Sequence, residues 1–404
     1  MTATAQEPAI DAERHRTNLV AAAAELVPLL REGADQSEQD RRLPDRTVDA
    51  LRREGMFSLL TPRRWGGLAT DVRTYLEVTE QLARGDSSAA WVSMILGGGS
   101  MLAGLFGDAA QEEVWDGAPG NTVCGVLTPS STAQRTDDGY LLSGRWAFAS
   151  GSLHCDWAVV AFPIPGPAGD PVDEGIALVP MSELAVEDTW YVAGMQGTGS
   201  NTLVAENVFV PDHRATSLVR AFEFDEHGGR AGGEHLWQTT LPSTLTLAII
   251  GPMLGMAQAA LERTLDVVRR GKPIAFTFYP RSAEAPSYQL FIADAASVID
   301  TARLHAYRAA DDIDRAAREG RRLDIPDRAR VRMDCVVAST KSREAVDLLL
   351  NVGGASSFAQ ANPLQRIWRD LETATRHGTI NPGIGREVYG RALLGIEETF
   401  SALI

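Results

Sequence analysis

The secondary-structure pattern of this 404-residue chain changes twice, and these two changes limit the folds that it can adopt. Residues 11–117 carry apolar positions at helical spacing. Residues 122–210 instead form short β-rich segments between turns, among them TVCGVL, WAVVAF and TLVAENVFV. Helical periodicity returns near Leu236 and continues to the end. This order predicts an N-terminal helical domain (1–117), a central β-sandwich or barrel (118–232) and a C-terminal helical domain (233–404).

The charge balance argues against two classes of partner. Acidic residues outnumber basic ones by 53 to 38, which gives a formal net charge of −15. Nucleic acids and anionic membranes both attract basic surfaces. We therefore expect neither a nucleic acid nor a membrane to be a partner of this protein.

Three further features predict a cytoplasmic protein. The three cysteines are far apart and show no CxxC spacing, which argues against a disulfide framework or a zinc site. The N-terminus lacks the apolar core of a signal peptide. The most apolar segment, residues 241–261, is interrupted by prolines and threonines, so we expect a buried helix rather than a membrane span.

The segment GRWAFASG (residues 144–151) combines aromatic side chains with a serine. Alternate residues of an extended strand share a face, so Trp146, Phe148 and Ser150 would lie together. An aromatic face beside a hydroxyl suits a flat, redox-active heterocycle, which needs stacking area and one directed hydrogen bond. The alternative is that Trp146 and Phe148 are ordinary core residues.

A helix predicted to begin at Pro363 carries a histidine at its end, after a glycine pair, Gly353-Gly354, that closes the preceding helical pattern. The inward stripe of this helix would consist of Leu364, Ile367, Trp368, Leu371 and Thr375. His377 lies beside that stripe, on one line with Asp370 and Thr373, where its side chain can enter a neighbouring cavity. The helix dipole alone can favour a histidine at this end, so position leaves a capping role and a catalytic role open.

Other candidate residues are less informative. The glycine-rich segments 97–99 and 197–200 lack the lysine and the following helix of nucleotide-binding loops, so neither predicts nucleotide hydrolysis. His154 follows the aromatic segment and is predicted to be a solvated turn residue. No pair of histidines has the spacing of metal ligands.

Five segments together resemble the motifs of the acyl-CoA dehydrogenase superfamily, in order along essentially the whole chain. Residues 144–151 resemble the strand that stacks on the flavin, and residues 125–129 resemble the loop that hydrogen-bonds its pyrimidine ring. Residues 194–211 resemble the glycine-rich motif and closing strand of the family. Residues 82–91 resemble the N-terminal helix signature, and residues 351–378 resemble the C-terminal signature.

The resemblance implies roles for individual residues. The flavin-binding positions that it implies are Leu127, Thr128, Trp146, Phe148, Ser150, Gly151, Gly353 and Gly354, with the glycine pair touching the flavin of a neighbouring subunit. Trp91 is implied as a substrate contact. Dehydrogenases of the family carry a catalytic glutamate just before a glycine, and this chain has His377 there, before Gly378. Histidine suits removal of an oxygen-bound proton, and the aromatic-x-Ser-Gly form of residues 148–151 is similar to the group D flavin-dependent monooxygenases.

The fold implied by this resemblance is mostly α with a central β-domain and a C-terminal four-helix bundle that forms a homotetramer. The implied function is the oxygenase component of a two-component monooxygenase, which uses dioxygen through a flavin hydroperoxide to hydroxylate an aromatic small molecule, phenolic or polyketide-type. A separate NAD(P)H-dependent flavin reductase is the implied partner, because the chain shows no NAD(P)H-binding fingerprint. Dehydrogenases hold the FAD diphosphate with an arginine-x-x-phenylalanine signature. Residues 269–276 (RRGKPIAF) depart from it, which leaves reduced FMN and reduced FAD both open.

In this scheme His377 takes the phenolic proton, and Ser150 forms a hydrogen bond near flavin nitrogen 5 that slows the loss of hydrogen peroxide. Three alternatives remain. The first is an acyl-CoA dehydrogenase that contains FAD and uses a displaced glutamate such as Glu372. The second is an amino-sugar N-oxygenase, and the third is a non-enzymatic interaction protein built on the same fold.

Overall fold

The computed structural model describes residues 9–128, 130–166, 170–223, 234–396 and 400–401, and its elements follow the helical, β, helical order. The first helices are α1 (Ala9–Asp40), α2 (Asp45–Arg53), α3 (Val72–Ala83), α4 (Ser87–Ala103) and α5 (Asp108–Trp115). The strands are β1 (Val123–Val126), β2 (Ser131–Arg135), β3 (Gly139–Ala149), β4 (Trp157–Pro165), β5 (Pro171–Pro180), β6 (Ala185–Glu187), β7 (Asn201–Pro211) and β8 (Ala215–Ser217). The later helices are α6 (Leu218–Glu223), α7 (Leu241–Ala248), α8 (Ile250–Arg269), α9 (Pro286–Arg318), α10 (Ile325–Gly353), α11 (Pro363–Ala374) and α12 (Pro382–Leu393).

The mostly α fold class with a central β-domain is confirmed. The boundary predicted between residues 117 and 118 falls in the segment that joins α5 to β1. The boundary predicted between residues 232 and 233 lies outside the described residues, as does Pro129, the last residue of the flavin-loop segment 125–129.

The strands of the central region form two sheets that pack face to face. One sheet has the order β1-β4-β5-β8 and the other the order β2-β3-β7-β6; β1 and β4 are parallel, and the other neighbours are antiparallel. Between the sheets, Trp146 Nε1 donates to the Ala161 carbonyl at 2.8 Å. The ring centroids of Tyr140 and Phe162 lie 5.1 Å apart. The β-domain is therefore a sandwich rather than a barrel.

Two glycines of α8 allow this helix to lie close to α3. Gly251, Gly255 and Ala259 recur at four-residue spacing, which predicts close helix–helix approach in a bundle. A Cβ atom added at Gly251 would lie 2.1 Å from Thr79 Oγ1, and one at Gly255 would lie 2.1 Å from the Glu80 carbonyl oxygen. Because both partners belong to α3, the close contact joins the N-terminal helices to the bundle instead of joining two bundle helices.

Within the part of the chain that the structure describes, one segment, Leu241–Arg269, is by length and composition apolar enough to cross a membrane. Of its most apolar stretch, 89% is buried inside the protein. It comprises α7 and α8, and α8 packs against α3 and α10. The apolar surface of this segment is thus used in packing, as expected for a buried helix.

Helix α4, which carries Trp91, is fixed at both ends. At its start, the Asp86 carboxylate accepts the Ser88 backbone N–H at 2.9 Å, as an aspartate N-cap does. The second carboxylate oxygen of Asp86 accepts a hydrogen bond from Ser37 Oγ of α1 at 2.8 Å. Toward its end, a Cβ atom at Gly99 would lie 2.0 Å from the Val123 carbonyl oxygen, so α4 touches the backbone of β1 there.

The prediction that His154 is a solvated turn residue is wrong. The residue is 9% exposed, and its Nε2 accepts the Leu43 backbone N–H at 3.2 Å. Burial, with a smaller contribution from Arg42, lowers the pKa of His154 to about 4. The ring is therefore uncharged at neutral pH and connects the β-domain to the segment between α1 and α2.

A His154→Gln variant should lose less stability in acid than the wild type. The pKa of the histidine is near 6.5 in the unfolded chain and about 4 in the folded chain, so the unfolded state takes up the proton first as the pH falls. The free energy of unfolding therefore falls between pH 6.5 and pH 4. The titration of His154 alone lowers it by about 2 kcal/mol at pH 5. Glutamine keeps an acceptor for the Leu43 N–H and does not titrate. Urea unfolding at pH 7 and pH 5 measures the difference, and equal losses in both proteins would contradict it.

Candidate active site

Strand β3 ends in an irregularity that changes which side chains share a face. Its pairing with β7 shifts between Trp146 and Ala149, and Phe148 has a φ of +65°. This β-bulge interrupts the alternation of the strand. The expectation that Trp146, Phe148 and Ser150 lie on one face is therefore wrong, because Trp146 is fully buried whereas Phe148 is 71% exposed.

Trp146 and Phe148 consequently have different roles. The Trp146 indole lies inside the sandwich, and its one N–H is used by the Ala161 carbonyl. A ring without exposed surface offers no face to a cofactor, so the ordinary-core alternative holds for Trp146 and its flavin-binding prediction is wrong. Phe148 keeps an exposed ring, which meets Trp190 edge-on with the centroids 5.8 Å apart. It remains a candidate for stacking on a flat ligand.

Ser150 follows the bulge and begins a series of three buried hydroxyl groups, here called the hydroxyl chain: Ser150, Ser200 and Thr198. Ser150 Oγ lies 2.6 Å from Ser200 Oγ, which lies 2.7 Å from Thr198 Oγ1. Thr198 Oγ1 donates to the Met195 carbonyl at 2.8 Å. The sequence predicted a role for Ser150 alone. The alternation of glycine with hydroxyl residues at 197–200 is the signal that could have indicated the other two.

Behind the hydroxyl chain lies a pair of buried carboxyl groups, Asp370 and Asp86. Asp370 of α11 accepts the Met195 backbone N–H at 2.5 Å. Burial raises the pKa of Asp370 to about 7, with repulsion from Asp86 adding to the shift and Arg366 opposing it. Burial likewise raises the pKa of Asp86. Met195 is thus held through its N–H by Asp370 and through its carbonyl by Thr198, so the end of the hydroxyl chain is fixed.

Trp91 connects the two residues predicted to be catalytic. Its Nε1 donates to Ser150 Oγ at 3.3 Å, and its ring centroid lies 6.0 Å from that of His377, with the two planes at 58°. The tryptophan is 6% exposed. Three segments remote in sequence, the end of β3, helix α4 and the turn after α11, therefore place Ser150, Trp91 and His377 side by side.

His377 lies beyond α11, which ends at Ala374, and not on the helix as the sequence predicted. Its Nδ1 lies 2.9 Å from Thr379 Oγ1 and 3.4 Å from the Thr379 backbone nitrogen, so the side chain caps the short helical turn of residues 378–380. A proton on Nδ1 can be donated to Thr379 Oγ1, which leaves the Nε2 lone pair available. The histidine therefore does not cap the end of α11, and its capping contacts are with the turn that follows.

The surroundings of His377 favour its uncharged form. The side chain is exposed in the single chain, yet the protein around it desolvates the ring. This desolvation lowers the pKa of His377. The imidazole can therefore accept a proton at neutral pH.

Leu127, Thr128 and Gly151 occupy turns of the β-domain. Leu127 packs half-buried against the core just after β1, and Thr128 is exposed. Gly151 has a φ of +76° and donates its N–H to the Thr198 carbonyl at 3.0 Å. A Cβ atom there would lie 3.3 Å from Leu96 of α4, so glycine permits the close approach of this turn to the helix that carries Trp91.

The glycine pair Gly353-Gly354 lies at the end of α10. A Cβ atom at Gly353 would lie 1.9 Å from Ser357 Oγ, and Gly354 has φ +57° and ψ −152°, a combination that essentially only glycine adopts. Gly354 is exposed and has open space around its α-carbon. The contact of this pair with the flavin of a neighbouring subunit stays a prediction.

An exposed aromatic ring, a buried hydroxyl and a tight turn lie together at this site, and together they suit a flavin. Phe148 offers an exposed aromatic ring, Ser150 a hydroxyl at the start of a fixed hydrogen-bond chain, and Gly151 a backbone that accepts no larger side chain without displacing Leu96. Trp91 and His377 supply an aromatic wall beside an uncharged base. Such a site can bind a planar ring and accept a proton.

Comparison with known proteins identifies the family of this chain. The acyl-CoA dehydrogenase N-terminal domain model matches residues 15–116, and the acyl-CoA dehydrogenase C-terminal domain model matches residues 247–382. The oxygenase subunit HsaA of a flavin-dependent monooxygenase from Mycobacterium tuberculosis is 35% identical over 95% of this chain and 97% of its own length. The oxygenase component of an FADH2-dependent resorcinol hydroxylase from a Rhizobium species is 35% identical over 94% of each chain.

Solved structures also resemble this chain over nearly its whole length. XiaF from a Streptomyces species, in complex with FADH2 and glycerol, superposes with a TM-score of 0.92 at 35% identity and covers 97% of this chain and 98% of its own. The HsaA structure from M. tuberculosis superposes with a TM-score of 0.89 at 34% identity, over 96% and 100% of the two chains. The chain therefore belongs to the acyl-CoA dehydrogenase superfamily and, within it, to the oxygenase components of flavin-dependent monooxygenases.

Proposed function

We propose that this protein is the oxygenase component of a two-component monooxygenase that hydroxylates a phenolic small molecule. The observation that carries the proposal is the contact of Trp91 with both Ser150 and His377, which places an aromatic wall between a buried hydroxyl and an uncharged base. Relatives named as flavin-dependent oxygenase subunits and as a resorcinol hydroxylase support it. Reduced FMN or reduced FAD, when bound, supplies the electrons that activate dioxygen.

Phe148, Ser150 and Gly151 would hold the flavin. The Phe148 ring provides exposed area for stacking, and Ser150 a directed hydrogen bond. Leu127 and Thr128, in the turn after β1, would contact the polar edge of the ring. The buried side chains around Trp91 keep water away from the reacting atoms, which limits unproductive loss of hydrogen peroxide.

His377 would remove the phenolic proton through Nε2. Loss of that proton makes the aromatic carbon a better nucleophile toward the incoming oxygen atom. Desolvation keeps the imidazole uncharged, and the contact with Thr379 Oγ1 holds the other ring nitrogen. Proton transfer by a positioned side chain typically accelerates a reaction by about 10²–10⁴-fold.

The ion pairs of Glu372 with two arginines disfavour the dehydrogenase alternative. The two carboxylate oxygens of Glu372 accept hydrogen bonds from Arg343 at 2.9 Å and from Arg376 at 2.8 Å. Both carboxylate oxygens are thus occupied by ion pairs with arginines, and neither is free to meet a carbon-bound proton. The indole of Trp91 beside His377 also suits a planar ring better than an amino sugar, which disfavours the N-oxygenase alternative.

A separate NAD(P)H-dependent reductase would supply the reduced flavin. The experiment that tests the proposed function combines such a reductase with this protein, FMN or FAD, and a panel of phenols. We expect a product that is heavier by one oxygen atom. Bleaching of bound FAD by an acyl-CoA under anaerobic conditions would instead support the dehydrogenase, and failure to bind any flavin would support the interaction protein.

We also propose that the chain forms a homotetramer through its C-terminal helices and the loop after α8. Large apolar side chains are well exposed there, at Phe276, Phe278, Leu290, Leu304, Leu393 and Leu394. Exposed apolar groups in such number are typical of a protein–protein interface.

Sedimentation velocity should show a tetramer for the wild type and smaller species for the double variant Phe276→Ser/Phe278→Ser. Both phenylalanines are completely exposed in the single chain, so their replacement leaves the fold of the monomer intact. Phe209→Ser, in the exposed part of β7, serves as the control and should remain tetrameric. A monomeric wild type would contradict the proposed assembly.

A further inference from the structure

We infer that Ser200 and Thr198 fix Ser150 as a hydrogen-bond acceptor, so that the site binds reduced flavin in preference to oxidised flavin. The inference rests on the proposed function, in which Ser150 meets nitrogen 5 of the flavin. It concerns the two hydroxyl groups behind Ser150, and both are positioning residues because they act through Ser150.

The direction of the hydroxyl chain follows from counting hydrogens. Each hydroxyl has one hydrogen to donate, and the chain ends on the Met195 carbonyl, which can only accept. Thr198 therefore donates to Met195 at 2.8 Å, Ser200 donates to Thr198 at 2.7 Å, and Ser150 donates to Ser200 at 2.6 Å. The opposite direction would leave two oxygen lone pairs facing each other between Thr198 and Met195.

The fixed environment of the chain holds this direction. The hydroxyl residues Ser150, Ser200 and Thr198 are 6%, 3% and 1% exposed. The Met195 carbonyl also accepts from Trp190 Nε1 at 2.9 Å, and the Met195 N–H is held by the buried Asp370. The acceptor that sets the direction therefore cannot rotate away.

Ser150 is left with an acceptor function only. Its hydrogen is directed at Ser200, and one of its lone pairs accepts the Trp91 indole N–H at 3.3 Å. What it can offer to a ligand is its second lone pair. A ligand atom that carries a hydrogen is bound there, and a ligand atom that carries only a lone pair is not.

Because Ser150 can only accept a hydrogen bond, it distinguishes the two redox states of a flavin. Nitrogen 5 of the oxidised ring has a lone pair and can only accept, whereas two-electron reduction adds a hydrogen and makes it a donor. The acceptor Ser150 therefore gains a hydrogen bond with the reduced ring and faces a lone pair of the oxidised ring. An oxygenase that receives reduced flavin from another protein and releases oxidised flavin benefits from this difference.

Equilibrium binding of both redox forms tests the inference, with reduced FMN and FAD titrated anaerobically and the oxidised forms titrated in air. In Ser200→Ala the hydrogen of Ser150 loses its acceptor and becomes free for the ligand. The ratio of the dissociation constant of oxidised flavin to that of reduced flavin should then fall by roughly 3- to 10-fold, the value of one hydrogen bond. A tenfold fall lowers the two-electron potential of the bound flavin by about 30 mV.

Two further variants make the result specific. Thr198→Val removes the acceptor of Ser200, whose hydrogen can then turn to Ser150, so the ratio should fall in the same direction. Thr202→Val is the control, because this buried β7 hydroxyl bonds Thr189 Oγ1 at 2.8 Å and lies outside the hydroxyl chain. Its ratio should equal that of the wild type.

The possible failures are distinguishable. A wild type that binds both redox forms, with a ratio unchanged in Ser200→Ala and Thr198→Val, overturns the inference and leaves the proposed function intact. A ratio that falls equally in Thr202→Val also overturns it, because the effect would then be a general loosening of the β-domain. A wild type that binds neither form of either flavin overturns the proposed function together with the inference.

Discussion

Replacing His377 by asparagine is expected to lower the rate of phenol hydroxylation by at least about 100-fold while flavin binding is unchanged. The imidazole is the uncharged base beside Trp91, and asparagine cannot take a proton. Asparagine can still reach the Thr379 hydroxyl that now contacts Nδ1, so the turn after α11 should keep its conformation. Reduced flavin would still be oxidised, and hydrogen peroxide would replace the hydroxylated product.

The measurement is the yield of product and of hydrogen peroxide per reduced flavin consumed. His213→Asn is a matched control, since this exposed histidine pairs with Glu113 away from the candidate site. A phenol that is already ionised at the assay pH should recover part of the lost yield in His377→Asn, because the missing step is proton removal. Unchanged product yield with an ordinary phenol would remove His377 from the mechanism.

The pH dependence of the wild type has a defined direction. Desolvation lowers the pKa of His377 below its ordinary value of 6.5, so the uncharged base persists to a lower pH than an exposed histidine would allow. The yield of hydroxylated product should therefore be constant at neutral pH and fall only below that value. The His377→Asn variant should show no such fall in the same range.

Replacing Ser150 by alanine is expected to have the second large effect, a shift of the reaction from product to hydrogen peroxide. The variant loses the one acceptor that Ser150 offers to a bound flavin. It also leaves the buried Trp91 indole N–H without its acceptor, which costs about 1–3 kcal/mol of stability. Hydrogen peroxide should form faster, and the midpoint of thermal unfolding should fall.

Ser152→Ala separates the catalytic loss from a general effect on this turn. Ser152 is 3% exposed and lies two residues after Ser150, and its hydroxyl has no hydrogen-bond partner among the described residues. Peroxide release in Ser152→Ala should match the wild type. If Ser150→Ala also matched it, Ser150 would have no part in protecting the activated oxygen.

Much of the fold was accessible from the sequence because it depends on local periodicity. The change from helical spacing to short β segments and back located the three blocks of the chain. The apolar segment 241–261, which lies within Leu241–Arg269, was correctly predicted to be buried, since its prolines and threonines are unsuited to a lipid-facing span. The close packing at Gly251 was predicted as well, but its partner α3 was not, because spacing within a helix does not identify the neighbour.

The candidate site was only partly accessible, because its residues depend on tertiary structure. The bulge before Ala149 buries Trp146 and exposes Phe148, and the strand sequence carries no turn residue that marks it. The inward stripe predicted for α11 included Thr375, beyond the helix end at Ala374, so the sequence extended that helix to His377. The hydroxyl chain joins the end of β3 to the loop before β7, and such long-range pairing leaves no local signal beyond the glycines around Thr198.

The central claim is that this chain itself inserts an oxygen atom from dioxygen into a phenol when it is supplied with reduced flavin. A single-turnover reaction with photochemically reduced flavin and ¹⁸O₂, without any reductase, tests this claim most directly. We expect one ¹⁸O atom in the hydroxylated phenol, as measured by mass spectrometry, and the amount of this labelled product should be much lower in His377→Asn. A phenol that remains unlabelled with either flavin, while anaerobic acyl-CoA bleaches FAD bound to the protein, would contradict the claim.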